Sequence, residues 1–356
     1  MRTYNCTCGN RLFYENSRCL SCRAELAFCP QCRRLAPIDL QADGLYRCQH
    51  TDCRAQLIKC DNYRRHQVCN RAVRWSGPAT RTRLCDCCRH NEVIPDLTVP
   101  GNQGRWYRLE AAKRRLFYGL DLLGLPRGSA DGVVTPPLAF QFLADTEDPR
   151  RPGAAQQVVT GHCQGRITIN ILEADDDQRE RLRVQLGEAQ RTLIGHFRHE
   201  IGHYYWEVLI RGRAEDKFKA AFGDHERPSY SEALERHYQA GPPADWHDRH
   251  VSAYASMHPW EDFAETFATY LDMICLLDSA CQQGIRGGSA LQPSLDAMLV
   301  DYQQIGIAMN EMNRSVGLVD LVSEVFVAPV VAKLRFVHEL VQQAAGRLSA
   351  SPGAPG

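Results

Sequence analysis

Thirteen of the sixteen cysteines in this chain of 356 residues lie between Cys6 and Cys88, and that crowding decides how the first quarter can fold. Residues 1–98 carry only seventeen Leu, Ile, Val or Phe, too few for an ordinary apolar core. The cysteines come in short-spaced pairs, Cys6-x-Cys8, Cys19-x-x-Cys22, Cys29-x-x-Cys32 and Cys48-x4-Cys53. Cys60, Cys69 and the cluster Cys85, Cys87, Cys88 follow. A tight turn lets such a pair present two thiolates to one tetrahedral ion, and two turns complete a site. Taken in order, the spacing predicts three structural zinc sites: Cys6/Cys8/Cys19/Cys22, Cys29/Cys32/Cys48/Cys53 and Cys60/Cys69/Cys85/Cys88. Cys87 is then spare or replaces a neighbour in the third site, and His50 could stand in for Cys48 or Cys53. Each zinc contributes on the order of 10 kcal/mol of folding free energy, which substitutes for the missing core.

Met1 to Asn5 leads straight into Cys6 with no apolar run of a secretory signal. The expected compartment is therefore the cytoplasm, where dense cysteines serve metals rather than disulfides. The most apolar late stretch, Val316 to Val337, is interrupted by Asp320, Glu324, Lys333 and Arg335. It reads as a packed or amphipathic helix, and no membrane span is expected. Lysine plus arginine equals aspartate plus glutamate at 42 each, which excludes a generally polycationic nucleic-acid binder. Residues 1–98 are formally +7, but each four-thiolate zinc site adds about −2, leaving roughly +1. Phosphate affinity needs uncompensated cations, so protein docking on the ribbons is favoured over nucleic acid.

Beyond residue 98 the chain turns to helical and strand patterns. Trp106, Leu109, Leu116, Leu120 and Leu123 recur at helical spacing, with Arg108, Lys113, Arg114 and Arg115 interleaved as a solvated basic face. Leu138–Leu143 and Arg166–Ile171 read as strands, the second alternating Ile167, Ile169, Ile171 against Thr168 and Asn170. The acidic run Glu173–Asp177 opens a long helical region. Cys163, Cys275 and Cys281 are scattered and read as small buried hydrophobes. The last residues are Ser, Ala, Pro and Gly, a disordered tail. The expected division is 1–98 zinc ribbons, 99–345 a second domain and 346–356 tail.

The chemistry lies in His199-Glu200-Ile201-Gly202-His203. At 100° per residue, Leu193, Phe197, Ile201, Tyr204 and Val208 share one stripe, while His196, His199, Glu200, His203 and Glu207 share another face. Two histidines one turn apart can ligate one zinc, with Glu200 beside them free to take a proton from a water. A second helix opens at His258-Pro259, with Phe263, Phe267, Tyr270 and Ile274 as its packed side and Glu261 and Glu265 one turn apart. His237, His247, His250 and His258 flank this region, and any one could replace Glu261 or contact substrate.

These residues resemble the gluzincin metallopeptidases, in which a helix after H-E-x-x-H supplies a glutamate ligand and an acid four residues later supports a ligand histidine. The resemblance implies Glu261 as third zinc ligand and Glu265 polarising an imidazole N–H. Tyr254 through Phe267 is similar to the corresponding stretch of anthrax lethal factor, which implies that Tyr254 faces the metal and donates to the oxyanion. Across nearly the whole chain the sequence resembles bacterial zinc-binding metallopeptidases that join an amino-terminal zinc ribbon to a gluzincin-like domain. Leu12–Asn16, Ile94–Leu97, Gly195–Trp206 and Ser252–Ser256 carry this likeness. The chain departs from it in its first knuckle, Cys6-x-Cys8, and in an extra ribbon at Cys29–Cys53.

The expectation is an α+β fold: a mainly helical zincin-like peptidase domain preceded by small zinc ribbons. It binds one catalytic and about three structural zinc ions. It cleaves a peptide or protein with a zinc-activated water, Glu200 acting as general base and then acid. By analogy, an extended substrate pairs with the edge of the Ile167–Ile171 strand. The competing readings are a zinc-ribbon adaptor that binds protein or DNA, and a DNA-recruited SprT-like protease.

Overall fold

In the cysteine-rich segment the backbone turns left-handed after the second cysteine of each of the four pairs. Gly9, Arg23, Arg33 and Arg54 have φ of +86°, +65°, +54° and +50°. In three of these turns that residue's N–H donates back to the first cysteine's carbonyl: Gly9 to Cys6 at 2.9 Å, Arg23 to Cys19 at 3.0 Å and Arg33 to Cys29 at 2.9 Å. A side chain in this conformation costs on the order of 1 kcal/mol, which metal binding offsets many times over.

The computed structural model describes residues 1–78, 83–128, 134, 136–147, 155–186 and 191–349. The turns space a hairpin, β1 (Tyr4–Asn5) and β2 (Arg11–Leu12), and then an antiparallel sheet. The sheet's strands β3 (Leu26–Cys29), β4 (Arg34–Leu40), β5 (Tyr46–Cys48), β6 (Gln56–Lys59) and β7 (Ala72–Arg74) lie in sequence order, with α1 (Asp61–Arg64) between the last two. Strand β8 (Asn91–Val93) and helix α2 (Asn102–Leu122) follow, then β9 (Ala139–Leu143), the hairpin β10 (Thr146–Glu147) and β11 (Ala155–Gln156), β12 (Gly161–Cys163) and β13 (Arg166–Asn170). The remainder is helical: α3 (Asp176–Leu186), α4 (Leu193–Tyr205), α5 (Glu215–Phe222), α6 (Tyr230–Ala240), α7 (Pro259–Gln282), α8 (Leu295–Ser315) and α9 (Ala328–Ser349). The fold is the α+β mixture expected, ribbons first and helices after. Two compact units form, one of 1–115, 139–159 and 168–179, the other of 116–138, 160–167 and 180–356. The expected boundary after residue 98 falls inside the first.

The structure gathers the twelve cysteines into the three expected quartets. Their sulfurs lie 3.6 Å apart for Cys6 and Cys22, 3.7 Å for Cys8 and Cys19, 3.7 Å for Cys29 and Cys53, 3.9 Å for Cys32 and Cys48, and 3.8 Å for Cys69 and Cys85. Four sulfurs at ~2.3 Å from one zinc stand about 3.8 Å apart, so each quartet fits that ion. Cys8 and Cys22 are exposed, whereas all four residues of the third quartet are buried. Cys87 is buried outside the quartets, and burial pushes its thiol well above the ordinary range. His50 is in none of them.

Helix α2 departs from its expected pattern. Its five apolar positions are all buried, but so are Lys113 and Arg114, at 0% and 1% exposure; the basic face is solvated only at Arg108 and Arg115. Lys113 is paired with Glu110 at 2.9 Å and also bonds Asn91. Glu110 takes further hydrogen bonds from Asn91 and from Trp106 Nε1 at 3.1 Å. Arg114 donates to Val68 O at 2.7 Å, and Arg71, also buried, pairs with Asp86 at 2.8 Å. Burial works against the Lys113 ammonium, yet Glu110, Cys87 and Cys88 outweigh it and hold its pKa above the usual lysine range. A buried quartet carrying net negative charge needs cations where no water can supply them.

Four other expectations change. Residues 316–327 are not helical: α8 ends at Ser315, Gly317 takes φ +79°, and the segment is held by Asn310, whose Nδ2 donates to Val322 O at 2.9 Å while its Oδ1 accepts from Leu321 N at 2.8 Å. No helix among the described residues is long and apolar enough to cross a membrane. Strand β13 has β12 on one side and β9 on the other, so the expected substrate edge at Ile167–Ile171 is already paired, and the edge is β12. Cys163 is exposed, not buried, while Cys275 and Cys281 are half-buried. Helix α9 runs to Ser349, four residues into the expected tail, and residues 350–356 lie outside those described.

Stripping zinc from the quartets should collapse the β3–β7 sheet, seen as rapid proteolysis within residues 1–98 that zinc restored before the protease prevents. Lys113→Met leaves the Glu110 carboxylate buried without its cation, and should cost about 3–5 kcal/mol, measured as a lowered urea midpoint.

Candidate active site

Helix α4 begins at Thr192, whose hydroxyl accepts the Gly195 N–H at 3.0 Å. Phe197, Ile201 and Tyr204 are fully buried along one side, which turns the two motif histidines to the opposite side, as the 3.6-residue repeat requires. The last turn widens into a π-helical segment, Trp206–Ile210, which carries Val208 and Glu207. Helix α7 begins at His258, whose Nδ1 accepts the Trp260 N–H at 3.1 Å, with Pro259 at its first position. Phe263, Phe267, Tyr270 and Ile274 are all buried.

The two helices cross where neither has bulk. A Cβ added at Gly202 would sit 2.8 Å from Ala264 Cα and 3.0 Å from its carbonyl oxygen. This contact sets the depth at which α7 offers Glu261 to α4. His199 Nε2 and His203 Nε2 are 3.1 Å apart, and Glu261 Oε2 lies 3.0 Å from the first and 3.3 Å from the second. Three donors at 2.0–2.1 Å from a tetrahedral zinc are about 3.3 Å apart. The triangle therefore fits the ion, and its donor set of two imidazoles and one carboxylate is that of a zinc site. Although burial opposes ionisation, His203 and His199 keep the Glu261 carboxyl well below its usual range.

Around the triangle, Glu265 Oε1 accepts from His199 Nδ1 at 2.6 Å, and its Oε2 accepts from Ser252 Oγ at 2.8 Å. That bond fixes the His199 ring and presents Nε2 inward. Trp260 lies against the His203 ring, centroids 3.9 Å apart. Glu200 is buried with Oε2 unpartnered, and burial raises its pKa. Tyr254 sits on a short turn, its ring 6.0 Å from that of His199.

The flanking histidines do other things. His258 caps α7, His250 Nδ1 lies 3.2 Å from Asp262 Oδ2 beside Lys333, and His247 is exposed near Asp248. His237 packs on Tyr254 at 5.9 Å. Sequence reasoning missed Tyr230, Ser252, Trp260 and His162. Tyr230 donates to Glu261 Oε1 at 2.9 Å. His162, on β12, is stacked 6.4 Å from His203, and burial followed by the neighbouring His203 lowers its pKa to about 3. The Ser229-x-x-Glu232 capping box announces the helix that begins at Tyr230, but no local signal ties that phenol to Glu261.

Residues 102–340 match a family described as "putative zinc-binding metallo-peptidase", and residues 3–99 match a zinc-ribbon domain. Uncharacterized proteins of Mycobacterium tuberculosis and Mycobacterium bovis are 39% identical to the chain over 97% of its length and 96% of theirs. No solved structure matches the chain. With a His-His-Glu triangle of zinc spacing inside the matched region, the chain belongs to this zinc-binding metallo-peptidase family.

Proposed function

We propose that the chain is a gluzincin-like zinc peptidase in which His199, His203 and Glu261 hold the catalytic ion and Glu200 moves the protons. The observation that carries this reading is the convergence of three donor atoms within 3.3 Å, with a buried, unpartnered Glu200 oxygen on the same helix. Bound there, zinc supplies a Lewis acid that polarises a peptide carbonyl and acidifies a water. Glu200 takes that water's proton and passes it to the leaving amine, and its raised pKa brings it closer to the range suited to both transfers. Glu265 holds His199 in the tautomer that offers Nε2 to the metal.

Tyr254, its ring 6.0 Å from that of His199, donates its hydroxyl to the oxyanion. An extended peptide lies along β12, the edge strand whose His162 packs on His203. The cysteine quartets act as scaffold and as a docking face for a protein partner, with nucleic acid disfavoured by their near-neutral charge.

A peptide-library cleavage profile of wild type beside Glu200→Gln tests the reading. The variant should retain zinc yet lose about 10²–10⁴-fold in rate; undiminished cleavage by the variant would falsify it. Gly202→Val should force α4 from α7. The expected outcome is loss of the His-His-Glu zinc and of cleavage, read by metal content, with the cysteine-bound zinc retained.

A further inference from the structure

Glu261 has two carboxylate oxygens, and the site uses them differently. Oε2 faces both imidazoles, whereas Oε1 accepts the Tyr230 hydroxyl at 2.9 Å. Resting on the zinc reading of this site, we propose that Tyr230 is a positioning residue that occupies Oε1 so that Glu261 can offer the metal one oxygen only.

The phenol is held firmly enough to do this. Ser229 and Glu232 form a reciprocal cap around the start of α6, with Ser229 N donating to Glu232 Oε2 at 2.9 Å and Glu232 N donating to Ser229 Oγ at 3.4 Å. This fixes the backbone at Tyr230, the first residue of the helix. The ring packs edge-on against His258 at 5.4 Å and Trp260 at 5.7 Å, both beside Glu261 on α7. The carboxylate itself is 2% exposed, so no solvent competes for Oε1.

The consequence is a matter of coordination number. A carboxylate free at both oxygens can ligate through both, raising a three-residue site to four protein donors, so that water or substrate must enter as a crowded fifth ligand. Hydrogen-bonding one oxygen to a fixed phenol removes that option.

Tyr230→Phe keeps the ring and deletes the hydrogen bond. The full-length protein, with zinc in its cysteine quartets, would be emptied at the His-His-Glu site with a mild chelator, checked by metal content, and reloaded with cobalt(II) or zinc. The variant should bind zinc about 10–100-fold more weakly. Its cobalt visible absorption should weaken as the ion becomes five-coordinate, and the loss in peptide cleavage should fall on kcat. Tyr254→Phe, the comparison variant, should lose cleavage without changing the cobalt spectrum. An unchanged zinc affinity and cobalt spectrum in Tyr230→Phe, beside an active wild type, overturns the role of Tyr230 and leaves the peptidase reading standing. A wild type that takes up no metal at this site overturns the peptidase reading, and this inference with it.

Discussion

The crossing of α4 and α7 at Gly202 and Ala264 governs the candidate site. No ligand residue makes that contact, yet it fixes the separation of the two backbones to within the thickness of a methyl group. Glutamate is long enough to reach across only because nothing larger intervenes. The caps at Thr192 and His258 set where each helix starts, and the buried aromatic row on α7 sets how it is rotated. Once depth, start and rotation are fixed, His199, His203 and Glu261 meet, and Glu265 falls one turn further along, against the other nitrogen of His199.

A different balance holds the cysteine-rich unit together. Here the cysteine quartets supplement a small apolar core that includes Leu12, Leu26, Leu35 and Leu57, and the deepest of them brings negative charge where water cannot screen it. Lys113, Arg114 and Arg71 answer that charge from inside, aided by Glu110 and Asp86, which keep the cations themselves paired. The first unit is thus organised by electrostatics around sulfur, while the α4–α7 site depends on close apolar packing.

This contrast explains how much could be read from the sequence. Each cysteine quartet is built from turns only a few residues long, so spacing alone grouped the twelve ligand candidates. The His199/His203 and Glu261/Glu265 pairs are also single-turn relations, legible on a helical wheel. Burial of Lys113 and Arg114 was not legible, because a wheel assumes that charge seeks water and cannot see a distant anionic cluster. The same blindness hid Tyr230, whose partner lies 31 positions away on another helix. Apolar composition made 316–327 look helical, whereas the Asn310 side chain and a left-handed Gly317 hold it in a non-helical path.

The unequal enclosure of the cysteine quartets has a consequence for a chain emerging from the ribosome. The first quartet is complete once Cys22 has appeared, lies near the surface, and can take its ion from solution at once. The third closes only after Cys88, and its compensating cations, Lys113 and Arg114, emerge later still on α2. The order in which the quartets can close therefore follows the direction of synthesis. All four ligands of the third are made before the helix that carries Lys113 and Arg114.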